Sequence, residues 1–136
     1  MNTGSKQQAG QGGPEEKSLY EQLGGEVAVN QAVDIFYRKV IEDPLLRPFF
    51  EGMDMKRQAN MQRSFLSAAF GGPKPYSGRG MRNAHTPLVA KGLGDAHFDA
   101  VLRHLVSTLE EMGVSKPLRD WAQAITDSMR KDVLVR

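Results

Sequence analysis

Residues 54–85 read DMKRQANMQRSFLSAAFGGPKPYSGRGMRNAH, and this stretch decides the fold. Between Asp54 and Phe70, the residues Met55, Gln58, Met61, Gln62, Phe65, Leu66 and Ala69 recur at spacings of three and four, the period of one helical face. Gly71-Gly72-Pro73 ends the pattern, since proline does not continue a helix and glycine readily closes one. Residues 74–80, with Pro75, Gly78 and Gly80, have no periodicity and read as irregular. A brief helix is predicted around Met81–His85, with Pro87 preventing a long continuation.

The same period continues on both sides. Ser18-Leu19-Tyr20-Glu21 has the spacing of a capping box and starts a short helix that Gly24-Gly25 closes. A second helix is predicted from about Glu26 to Ile41, with Val29, Val33, Phe36, Tyr37 and Val40 on one face and Asp43-Pro44 as its stop. A linking stretch holds Leu45, Leu46, Pro48, Phe49 and Phe50. Phe98, Val101, Leu102, Leu105, Val106 and Leu109 give a strong apolar face to a helix from about Asp95 to Met112. The last helix is predicted from about Ser115 to Val133, with Leu118, Trp121, Ala122, Ile125 and Met129 on its stripe and Pro117 near its start. The expectation is one all-α domain over residues 18–136, preceded by a disordered polar tail over residues 1–17.

Composition removes several classes of function. The chain has 136 residues, a net charge of +2 and a pI of about 9.0, with its bases interleaved among acids, so nucleic acid is not an expected partner. It has no cysteine, which excludes disulfides, thiolate metal sites and a cysteine nucleophile, and suits a cytoplasmic location. No apolar run reaches the length of a membrane span. There is neither a phosphate-binding Gly-x-x-x-x-Gly-Lys loop nor a Gly-x-Ser-x-Gly elbow, and the glycine pairs follow helices rather than strands.

Three polar residues fall on faces that should be buried: Tyr37 on the second helix, and Gln58 and Gln62 on the third. Singly, each has an ordinary explanation, a ring in the core with its hydroxyl at the surface or an amide at the edge of a stripe. Together they point to a polar pocket, because an unpartnered buried amide or phenol costs about 1–3 kcal/mol. The histidines are His85, His97 and His104, and no His-x-x-x-His pair occurs, so a multi-histidine zinc site is not expected. A haem iron needs only one protein imidazole.

At this point the sequence resembles a family. LYEQLGG, the Phe36-Tyr37 pair, Phe49-Phe50, FLSAAFGGPKPYSGRGMRNAH and HFDAVLRHL are similar to the corresponding segments of group I truncated haemoglobins, over roughly Ser18 to Val133. The resemblance implies a globin-like two-over-two helical sandwich holding haem b non-covalently. It implies His85 as the iron ligand, Tyr37, Gln58 and Gln62 as the polar groups around a bound gas, and Phe50 packed on the haem face. Met61, Phe65, Leu66, Tyr76, Met81, Phe98 and Ile125 fall at haem-lining positions, and Arg79 or Arg82 at a place to meet a propionate. Some relatives bind iron through a second histidine on the third helix, where this chain has Met61. Others attach haem covalently through a histidine on the last helix, where this chain has Met129. The implied ligands are O2, NO and CO, and the implied role is oxygen binding or NO dioxygenation with an external reductase. A cofactor-free helical interaction module and a haem-based gas sensor stay open as alternatives.

Overall fold

The structure is a computed structural model that describes residues 18–72 and 78–136, apart from the Arg79 side chain. The described residues form seven α-helices and one 3-10 turn. They are α1 (Leu19–Leu23), α2 (Gly25–Glu42), α3 (Met55–Ala69), α4 (Gly78–Ala90), α5 (Asp95–Glu111), α6 (Lys116–Asp127) and α7 (Arg130–Val133), with the 3-10 turn at Arg47–Phe49. The predicted tail over residues 1–17 and residues 74–77 of the stretch expected to be irregular lie outside the described residues.

Local chemistry sets the helix ends. Ser18 Oγ accepts from the Glu21 amide at 3.1 Å while Glu21 Oε1 accepts from the Ser18 amide, also at 3.1 Å, so the predicted capping box is formed. Gly24 joins α1 to α2 at φ 113°, a left-handed conformation that side chains disfavour. Asp43 closes α2, its Oδ1 accepting from the Leu45 amide at 2.9 Å and its Oδ2 lying 2.7 Å from His104 Nε2. That pair ties the α2–α3 corner to α5, and the His104 hydrogen bond holds the Asp43 carboxyl below its usual range.

Helix α2 packs on α3 and α5, and α6 packs on both α5 and α3, giving the two-over-two arrangement. The core between the pairs holds Phe36, Leu46, Leu66, Phe70, Leu105 and Leu109. Burying each such side chain contributes about 1.5–3 kcal/mol. The Phe36 and Phe65 rings stack at 6.0 Å across α2 and α3. Gly72 lets α3 end against α1, since a Cβ there would meet the Ser67 carbonyl oxygen at 3.1 Å and the Tyr20 ring at 3.4 Å.

The structure differs from the sequence expectation in several places, among them Trp121, which was expected on the stripe of the last helix and is 42% exposed. Helix α4 is not confined to Met81–His85 but runs from Gly78, inside the stretch expected to be irregular, to Ala90 with Pro87 inside it. Proline deprives the Asn83 carbonyl of its helical partner, but Asn83 and Pro87 are both exposed, and continuing the helix buries Leu88. The last helix is split, with Ser128 and Thr126 hydroxyls donating to the carbonyls of Ile125 and Ala122 where α6 ends. The break turns α7 inward, so that Val133 and Leu134 are buried and α7 packs on α4. Met55, placed on the α3 stripe by its spacing, is the first residue of the helix and is 72% exposed.

An ion-pair cluster fixes that inward turn. Arg130 bonds Asp95 at 3.0 Å, Asp99 at 2.8 Å and Asp127 at 2.9 Å, and its guanidinium stands 4.5 Å over the Phe98 ring. Arg136 joins at Asp95, whose carboxyl is pulled down to about 2 by its hydrogen bonds to Arg136 and then Arg130.

Candidate functional site

A cavity of about 590 Å³, its mouth included, opens between α3, α4 and α5 and is walled almost wholly by apolar side chains. An apolar lining with a few polar side chains is the character of small-molecule and cofactor sites. Six of the residues singled out from the sequence line it: Phe50, Met61, Gln62, Phe65, His85 and Phe98.

His85 is set by its own helix. It is 8% exposed, and its Nδ1 lies 2.8 Å from the Met81 carbonyl oxygen one turn back. A carbonyl only accepts, so Nδ1 holds the ring proton and Nε2 keeps a lone pair. Burial pushes the imidazole below its ordinary pKa, and the Met81 hydrogen bond only partly opposes this. The group at neutral pH is therefore a neutral imidazole of fixed tautomer, the form in which histidine binds a metal. Met81 itself is buried beside His85 and acts through its carbonyl, without lining the cavity.

The polar residues of α2 and α3 divide into two sets. Gln58 Nε2 donates to the carbonyls of Phe50 at 3.1 Å and Met53 at 2.8 Å. With both amide protons placed, Oε1 can only accept, and Tyr37 Oη donates to it at 3.0 Å. Tyr37 and Gln58 thus form a closed unit behind the wall, and neither lines the cavity. The hydroxyl expected to meet a bound gas is directed here at Gln58. Gln62 is different: it lines the cavity, is 4% exposed, and neither amide atom has a hydrogen-bond partner among the described residues.

The remaining expected residues are scattered. Leu66 is fully buried in the core, and Ile125 is partly buried against that core beside Gly71, both away from the cavity lining. Arg82 bonds the Arg136 carbonyl at 3.2 Å and lies 3.6 Å from Asp132, so its cation is directed towards the α7 end. Tyr76 and the Arg79 side chain lie outside the described residues. Met129 is partly buried on the core and does not line the cavity.

Sequence reasoning missed Phe36, Val40, Leu46, Phe49, Leu88, Leu93, His97, Val101 and Val133, which complete the wall. Phe36, Val40 and Val101 were visible as stripe residues. Leu88 was hidden by ending the helix at Pro87.

An apolar slot, a neutral imidazole with a free lone pair and a dry amide without a partner together fit a flat hydrophobic group that carries a metal. Comparison with known proteins agrees. Residues 18–135 match the family described as bacterial-like globin.

The chain is a bacterial-like globin. A group 1 truncated haemoglobin of Synechocystis is 46% identical over 120 residues, which cover 86% of this globin and 97% of that protein. The crystal structure of a 2/2 haemoglobin from Synechococcus, in a cyanomet state with covalently attached haem, superposes with a TM-score of 0.78 at 46% identity, covering 88% of this chain and 100% of that one. The Fe(III) truncated haemoglobin of Tetrahymena pyriformis gives a TM-score of 0.75 at 39% identity, covering 87% and 98%. Membership makes the globin a haem-binding protein of the truncated kind, and small gaseous molecules are the ligands that this implies.

Proposed function

We propose that this globin holds haem b non-covalently in the α3–α4–α5 cavity and binds O2, with NO and CO as further ligands. Bound haem supplies a redox-active iron with a coordination position open to diatomic gases. His85 holds the iron through Nε2, and the Met81 carbonyl keeps its ring oriented and electron-rich. Phe50, Phe65, Phe98 and Met61 enclose the macrocycle and exclude water.

Gln62 supplies the amide that a bound gas would meet, and Tyr37 with Gln58 braces the wall behind it. A donor in a dry site holds a partly negative ligand by about 1 kcal/mol or more, which slows its release. Slow release suits oxidation of NO to nitrate by O2 better than oxygen delivery. That reaction takes up one electron per turnover, which a separate reductase provides. Non-covalent retention follows from Met129, because a thioether packed on the core has no N–H to add across a haem vinyl group. A chain free of cysteine suits work in the cytoplasm.

The observation that supports this reading most is the buried His85 imidazole with Nδ1 engaged and Nε2 left for a metal. Titration of the haem-free chain with haem tests it. One equivalent should give a sharp end-point and a Soret band that shifts on reduction and again with CO. A colourless folded chain that takes up no haem would favour an interaction module instead.

A further inference from the structure

Three polar side chains line the cavity: Gln62, His85 and His97. The reading above uses the first two and leaves His97 without a task. Its Nδ1 accepts from the Gly94 amide at 2.9 Å, in the first turn of α5. A nitrogen that accepts holds no proton, so His97 bears its proton on Nε2. The Phe49 ring meets the imidazole edge-on at 4.8 Å and fixes its plane. The cavity wall therefore carries an oriented N–H donor with no protein acceptor among the described residues. Apart from its metal, haem is hydrocarbon around its rim except for two carboxylates, and those are the only peripheral groups such a donor can read.

A second feature lies at the same end of the cavity. His97 sits between Phe49, in the α2–α3 corner, and Gly94, in the α4–α5 corner. An adjoining surface pocket spans Glu51 to Met53 in the first corner and Pro87 to Lys91 at the end of α4, and it shares Met61 and Leu88 with the cavity. Arg57 and Lys91 line this pocket, are exposed, and are in no ion pair among the described residues. Arg82, the alternative raised by the sequence, is held by Asp132 and the Arg136 carbonyl.

We propose that this end of the cavity is a carboxylate anchor, with His97 Nε2–H binding one acid group of the haem from inside and the Arg57 and Lys91 cations receiving the acidic edge at the mouth. The inference rests on the haem reading above and adds which edge of the macrocycle faces out and what holds it.

The test is haem loss to excess apomyoglobin, measured on the full chain loaded with protohaem or with its dimethyl ester. His97→Ala should lose protohaem about tenfold faster than wild type, the scale of one hydrogen bond to a charged group. With the ester, the two proteins should differ little. His97→Gln, whose amide can accept from Gly94 and still donate, should restore most of the retention. The surface double variant Arg57→Met/Lys91→Met, which leaves the core untouched, should lose protohaem about threefold faster at low salt and match wild type with the ester. Equal acceleration of both haems in His97→Ala would make His97 a packing and capping residue only and overturn its role. A double variant indistinguishable from wild type would overturn the mouth. A wild-type chain that takes up neither haem would overturn the haem reading itself, a separate result.

Discussion

Gln58 and Gln62 lie one turn apart on the same face of α3, are 7% and 4% exposed, and are chemically identical, yet their surroundings are opposite. Every amide atom of Gln58 is engaged, joining α3 to the α2–α3 corner and to Tyr37. Neither amide atom of Gln62 is. A buried amide with full partners stabilises a fold, while one without them lowers stability by about 1–3 kcal/mol. The contrast separates a glutamine that braces the fold from one whose amide is unengaged and which we propose serves a ligand, and spacing alone could not have told them apart.

Substitutions can break or sharpen that contrast. The largest effect is expected for Gln58→Ala, which leaves the Met53 carbonyl and the Tyr37 hydroxyl without their partner and the Phe50 carbonyl with only the Met53 amide. Urea unfolding of the haem-free chain should show a loss of about 2–4 kcal/mol. Gln62→Leu should leave that stability unchanged or raised, because it removes an unsatisfied group, and should speed O2 release from the loaded protein about tenfold in flash photolysis. If Gln62→Leu unfolds the chain as Gln58→Ala does, the division between them fails.

Tyr37→Phe should be milder. It removes one hydrogen bond, about 1 kcal/mol of stability, and should speed O2 release several-fold but less than Gln62→Leu. A larger effect than that of Gln62→Leu would mean that the hydroxyl leaves Gln58 for the gas. The smallest effect concerns the junction of α5 with the α7 end, where Arg130 and Arg136 hold Asp95 at about 2 against an ordinary 3.8. A carboxyl whose native pKa is depressed contributes stability above the ordinary value and loses it as pH falls through the native one. Melting temperature should therefore fall between about pH 4 and pH 2, and Asp95→Asn should flatten part of that slope.

Much of this was legible in the sequence because helical period and caps are local. Helix α2 was expected from Glu26 to Ile41 and runs Gly25–Glu42; α5 was expected from Asp95 to Met112 and runs Asp95–Glu111. His85 was picked from the three histidines by the family resemblance, while the residues alone showed only that one imidazole suffices for a haem iron. Other features depend on tertiary neighbours. Periodicity marks Leu66 and Ile125 as inward-facing but not whether they meet a cavity or another helix. Arg82 finds its partners on α7, far along the chain. The length of α4 was misread because solvent can satisfy the carbonyl that Pro87 leaves free. His97 did carry a signal: a histidine three residues after Gly94, in the first turn of a helix where backbone amides want acceptors.

The central claim is that one nitrogen of His85 holds the metal of a haem. Replacing His85 with glycine and titrating the haem-free variant with haem, with and without imidazole, tests it most directly. The account predicts that His85→Gly loses the sharp end-point and the native Soret band, and that added imidazole, entering the space left by the ring, restores both. Full-strength haem binding by His85→Gly, with an unaltered spectrum in the absence of imidazole, would contradict it.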